Sequence, residues 1–146
     1  MQPIINLCLW LAGAFCSPSP FYVQTPPTVI RPESKPWFSP PNNPLVQGAW
    51  LIGAENQAGP YLLRVRLQSG GQIPPHTHPD ERITTVLQGT LYVGFGQQFE
   101  AENMMVVPAG AVYIAPANTS HYVWAKEGEV IYQETGTGPT ATHFLK

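Results

Sequence analysis

From Gly48 onward the chain is cut by glycine and proline into segments too short to form helices that pack. Residues 61–67, 83–87, 90–96, 104–107, 112–115, 121–124, 130–135 and 140–145 are β-favouring runs, set apart by Pro-Ala-Gly, Pro-Ala-Asn, Glu-Gly and Gly-Pro. The first alternates, with Leu63, Val65 and Leu67 on one side and Leu62, Arg64 and Arg66 on the other. None has helical periodicity. Short, evenly spaced strands with glycine or proline turns predict an all-β barrel or double-sheet jelly roll. Gln88-Gly89, between the second and third runs, predicts a tight hairpin.

The N-terminal third obeys different rules. Residues 4–16 are apolar apart from Asn6, too few to span a bilayer, and run directly into Ser-Pro-Ser-Pro. They read as a secretory signal peptide over residues 1–16, with Ala12, Gly13 and Ala14 offering small residues for cleavage. Both cysteines, Cys8 and Cys16, fall in this stretch, so the processed protein is expected to carry no disulfide and no thiolate ligand. Residues 17–47 hold prolines at 18, 20, 26, 27, 32, 36, 40, 41 and 44, which excludes them from the middle of a sheet. Two readings fit this arm: a segment anchored on the barrel by Trp37 and Phe38, or a tether. Residues 48–146 are the expected single barrel domain.

With 43% hydrophobic and 11% charged residues the chain has a globular composition. Its net charge of −2 comes without a basic cluster, so nucleic acid is not an expected partner, and no membrane association is expected once the signal is removed.

Chemistry concentrates in two stretches. His76 and His78 sit two residues apart in an extended segment, where side chains alternate, so both imidazoles face the same way. Such a pair is half of a site for a transition metal, because neutral imidazole suits Zn, Cu, Fe and Ni. His121, at the head of a later strand, can supply more. Gly70, His76, His78 and Gly89 match the first signature of the cupins, and Gly110, Pro116 and His121 match the second, with Asn118 at a glycine position. Asn tolerates positive φ better than most residues, so the substitution is mild. The chain therefore resembles a small single-domain cupin over roughly its last two-thirds. The resemblance implies a cupin-type double-stranded β-helix, and it implies that His76, His78 and His121 are ligands of a divalent metal, with Fe(II) favoured and Mn(II), Ni(II) or Zn(II) as alternatives.

The family's glutamate is displaced. Six residues before Gly89 stands Arg82, and the carboxylate Glu81 comes one place early, on the opposite side of an extended chain. A bulge or turn at Pro79-Asp80 could re-aim Glu81 as a fourth ligand or pocket base; a three-histidine site or a site without metal are the other readings. An Arg82 pointing inwards, its unit charge about 5 Å from a divalent ion, would cost on the order of 6 kcal/mol at an effective dielectric near 20, so an inward Arg82 and a metal are expected to exclude one another. Asp80 reads as a turn residue, Tyr113 as a strand tyrosine or a pocket phenol, residues 118–120 as a turn, and His143 as structural.

Two functions are consistent with these residues. The first is an exported, metal-binding cupin, an oxygenase-like oxidoreductase acting on a small organic molecule, with Glu81 as catalytic base or ligand. The second is a non-catalytic module in which Arg82 pairs with a ligand's carboxylate. The resemblance adds association through sheet edges, hence an expected homodimer.

Overall fold

The structure, a computed structural model, describes residues 26–145; the expected signal peptide and both cysteines lie outside them. Ten strands form two antiparallel sheets. They are β1 (Val46–Ile52), β2 (Gly59–Leu67), β3 (Gln72–Thr77), β4 (Arg82–Gln88), β5 (Thr90–Phe95), β6 (Met105–Pro108), β7 (Val112–Ala115), β8 (His121–Trp124), β9 (Val130–Gly138) and β10 (His143–Phe144). One sheet has the order β1-β2-β9-β4-β7 and the other β10-β3-β8-β5-β6. No α-helix occurs among the described residues, and two short 3-10 turns are the only helical geometry there.

The alternation in β2 sets the register of the first sheet. Leu63, Val65 and Leu67 point into the core and Arg64 and Arg66 point out, paired along β9 from Gly59↔Gly138 to Leu67↔Val130. A slip of one residue would exchange these faces and put two guanidiniums inside, so the register is strongly specified. On β9 the same parity sends Val130, Tyr132 and Glu134 inwards. Val86, Leu91, Val93, Val107 and Val123 close the core from the remaining strands.

The hairpin predicted at Gln88-Gly89 does not form. β4 pairs with β7 and β9, whereas β5 pairs with β6 and β8, so the turn carries the chain from one sheet to the other. Gly89 makes that corner at φ 77°, and a Cβ there would lie 2.4 Å from the Glu129 carbonyl oxygen. The demand for glycine was legible; which strand follows it in space is decided by long-range pairing. The expected strand over 140–145 shrinks to β10, whose two residues pair with Thr77 and His76.

The proline-rich arm is anchored. Phe38 exchanges two backbone hydrogen bonds with Gly48 (2.9 and 2.8 Å), and its ring lies over that glycine, where a Cβ would meet it at 2.5 Å. The Arg66 guanidinium stacks 4.7 Å from the centre of the Trp37 ring.

Leu67, the last residue of β2, has no exposed surface and belongs to the core between the sheets. Leu67→Ala is expected to lower unfolding free energy by about 2–5 kcal/mol, read from urea denaturation, since the rigid sheets on either side can only partly close the cavity.

Candidate metal centre

His76 lies on β3 directly opposite His121 on β8, and His78 follows just past the end of β3. The three side chains are buried, with ring centres 4.3 Å (His76–His121), 4.8 Å (His76–His78) and 5.2 Å (His78–His121) apart. One ligand nitrogen from each lies within 4.8 Å of the others. His143 is exposed on β10, outside this group.

Local sequence explains the approach. Pro74 and Pro75 have no N–H to donate, so the β3–β8 ladder lapses between Ile73 and His76. The Pro74 carbonyl accepts from His76 Nδ1 at 2.7 Å. Thr119, in the turn before β8, accepts from His121 Nδ1 at 3.1 Å. Asn118 in that turn takes φ 59°, as its glycine-like position required, and donates its backbone N–H to the His78 carbonyl at 2.7 Å. Ala141, past β9, accepts from His78 Nδ1 at 2.8 Å.

A carbonyl only accepts, so in all three rings the proton sits on Nδ1 and the lone pair on Nε2. His78 Nε2 is buried with no hydrogen-bond partner. A buried polar nitrogen left bare beside two others is what a cation would satisfy. Burial, then the charge on His121, lowers the His76 pKa from 6.5 to about 3. His78 falls to about 2, first through burial and then through Arg82. His121 is lowered as well, chiefly by burial. The donors are therefore neutral at physiological pH, the form a metal requires.

Glu81 is not brought to this group. It is exposed and borders a shallow outer depression with Asp80, Ile83 and Thr135, so the turn at Pro79-Asp80 does not re-aim it. Arg82 takes the inward position, only 4% exposed. The reason is a set of partners that sequence reasoning missed. Its Nη1 donates to Glu134 Oε2 at 2.7 Å, its Nη2 to Thr140 Oγ1 at 2.9 Å, and its Nε lies 4.0 Å from Asp80 Oδ1. Asp80 also accepts from Tyr61 and Thr140, so it is more than a turn residue. Burial alone would lower the Arg82 pKa, but Glu134, Tyr61 and Asp80 hold it above its ordinary value. The expected exclusion between an inward Arg82 and a metal assumed a bare charge, and two carboxylates cancel that charge here. Glu134 could have been found from parity: it shares the inward side of β9 with Val130 and Tyr132, and a charge at a core position is a flag.

The histidines, Arg82 and Glu134 line one cavity of about 220 Å³. Tyr113 is one of its phenols, its pKa raised by burial and then by Glu134. Phe38 from the arm and Phe144 from β10 are also part of its wall.

Buried neutral imidazoles have a signature in acid. The unfolded chain takes up protons below pH 6.5 and the native one does not until near pH 3, so stability is full above 6.5 and falls as pH drops through that window. Metal-free protein is expected to lose up to about 1.4 kcal/mol per pH unit for each such imidazole, between pH 6.5 and 5, above the ordinary carboxylate range. Urea midpoints measured across that range should flatten in His76→Gln.

Comparison with known proteins agrees with this geometry. The family model for the Cupin domain matches residues 63–137, more than half of the chain. Germin-like protein 12-2 of Oryza sativa subsp. japonica is 40% identical over 73 residues, 46% of this chain and 32% of that protein. The chain thus spans about a third of the curated relatives it matches. Polyketide cyclase RemF from Streptomyces resistomycificus superposes with a TM-score of 0.67 at 14% identity, over 82% of this chain and 85% of that one, a likeness of fold alone. Oxalate oxidase in complex with the substrate analogue glycolate gives a TM-score of 0.51 at 28% identity, over 60% of this chain and 46% of that one. Two sheets of this topology, the paired histidine signatures and the family match together place the chain in the cupin family.

Proposed function

We propose that this protein is an exported, metal-dependent cupin, an oxygenase-like oxidoreductase acting on a small organic molecule. His76, His78 and His121 hold its divalent transition metal, Fe(II) being favoured and Mn(II), Ni(II) or Zn(II) alternatives. The observation that carries the reading is the orientation of the donors: three Nδ1–H groups fastened to backbone carbonyls leave three Nε2 lone pairs free in one buried pocket. Bound there, a metal supplies Lewis acidity and redox capacity at coordination positions that the three protein donors leave open. The chain contributes the rest. The carbonyls of Pro74, Thr119 and Ala141 fix the rings, and apolar side chains such as Val65 and Val123 line the cavity around them. Glu81, exposed on the outer surface, is not part of this proposal.

The module reading, with Arg82 receiving a ligand's carboxylate, finds Arg82 in the cavity wall but with both terminal nitrogens already engaged by Glu134 and Thr140. That favours the enzyme. Export rests on residues 4–16; no helix of the described residues is long and apolar enough to cross a membrane. We include a homodimer in the proposal because β7 is a sheet edge and Ile83, Val112 and Ile114 expose apolar surface beside it.

Purified protein is expected to take up one equivalent of transition metal, measured by elemental analysis, and His76→Ala to lose it. The loss expected for a first ligand exceeds the 10–100-fold seen when only a ligand's supporting group is removed. Metal uptake equal to wild type in His76→Ala would overturn the assignment. For the dimer, sedimentation of Ile114→Lys should report a monomer where the native chain sediments as a pair, because a charge on a closing apolar face opposes association.

A further inference from the structure

Resting on the metal reading, we propose that Glu134 is the hydrogen-bond acceptor for a hydroxyl group of the cavity's ligand, and that this ligand is a neutral, largely apolar molecule of about one ring rather than a small carboxylic acid. Glu134 is 5% exposed and stands on the cavity wall with the three histidines, Tyr113 and Tyr132. Arg82 grips its Oε2, which fixes the carboxylate's orientation. Among the described residues no hydrogen bond reaches its other oxygen. A carboxylate clamped at one oxygen with the second free is an oriented acceptor.

Stability does not account for the pair. Replacing a buried ion pair by apolar residues of similar volume is often neutral or stabilising, so a guanidinium and a carboxylate kept inside a barrel ask for another reason.

The wall's own side chains also disfavour acids. Among the described residues Arg82 is the only Lys or Arg in the cavity wall, and Glu134 and Thr140 already occupy its terminal nitrogens. The bound metal would draw an anionic ligand, but the wall offers that ligand no free cationic side chain and sets the Glu134 carboxylate against it. The walls are apolar instead: Leu63, Val65, Ile73 and Val123 in the body, Phe38 and Phe144 from the arm and β10. At about 220 Å³ the cavity exceeds the roughly 150 Å³ that suffices for benzene in an apolar protein cavity. A ring bearing one hydroxyl fits both the walls and the single free acceptor.

The test uses the full chain loaded with Co(II) and titrated with phenol, anisole and glycolate, followed by calorimetry and by the Co(II) absorption spectrum. Phenol is expected to bind at least about tenfold more tightly than anisole, which fits the same space but has no hydrogen to donate, and more tightly than glycolate. In Glu134→Gln the preference for phenol over anisole should fall to within about twofold, with Co(II) stoichiometry unchanged. Because Glu134→Gln leaves Arg82 facing an uncharged amide whose oxygen it still holds, the double variant R82M/E134L, with no acceptor at this position, is measured alongside; it should fold, take up Co(II) and show no preference. Glycolate binding ahead of phenol, or a preference for phenol that persists in either variant, overturns the inference. Should the native chain refuse Co(II), the metal reading fails instead, and calorimetry on the metal-free protein judges Glu134 by the same phenol-to-anisole ratio.

Discussion

The hydrogen bond from each Nδ1 to a backbone carbonyl turns three histidines into a donor set. A free imidazole has two tautomers and a rotatable ring, and a site assembled from three such groups would be poorly defined. Here the acceptors belong to the main chain of three segments: Pro74 within β3, Thr119 in the turn before β8, and Ala141 after β9. None can be removed by a side-chain substitution. The fold holds those segments together, because β3 pairs with β8 on one side and with β10 on the other. Orientation of the donors is thus a property of the sheet more than of the histidines' immediate neighbours.

The second organising element is the ion pair on the facing sheet. At the place where the family's first signature has a carboxylate, this chain has a cation, and a carboxylate stands on the adjacent strand. Thr84 pairs with Glu134 across β4 and β9, and Arg82, two residues earlier on the same face, reaches Glu134 diagonally. The sign at the motif position has changed while a carboxylate stays in the cavity wall. That explains how an inward arginine coexists with a site suited to a cation. Its field at the histidines is largely offset by Glu134 and Asp80, although it still contributes to lowering the pKa of His78.

Much of this was legible in the residues themselves. Period-two alternation in β2, the His-x-His spacing and the glycine-like demand at Asn118 are local signals, and each reappears in the structure as read. The failures share a cause, which is that they concern partners distant in the chain. Gly89 announces a turn, but whether a turn closes a hairpin or crosses between sheets depends on strands that come later in the chain, β6 to β9. Glu81 and Arg82 could not be ranked from the motif because the deciding groups, Glu134 and Thr140, lie 52 and 58 residues away. Counting parity along β9 would have exposed Glu134 as a charge on a core face, and that count pairs naturally with the one already made on β2.

The segment leaving β9 ties the two polar clusters together. Thr140 Oγ1 accepts from Arg82 and donates to Asp80, while the carbonyl of the very next residue, Ala141, orients His78. Thr140 is itself buried, and its backbone N–H is bonded to the Glu55 carbonyl at 2.8 Å, so the segment is held from both sides. Adjacent residues of one short connection therefore position both the guanidinium that clamps Glu134 and the imidazole that faces it across the cavity. A displacement of this connection would disturb the acceptor and the donor set at once, which is the behaviour expected of two halves of a single site rather than of a metal centre and an unrelated structural ion pair.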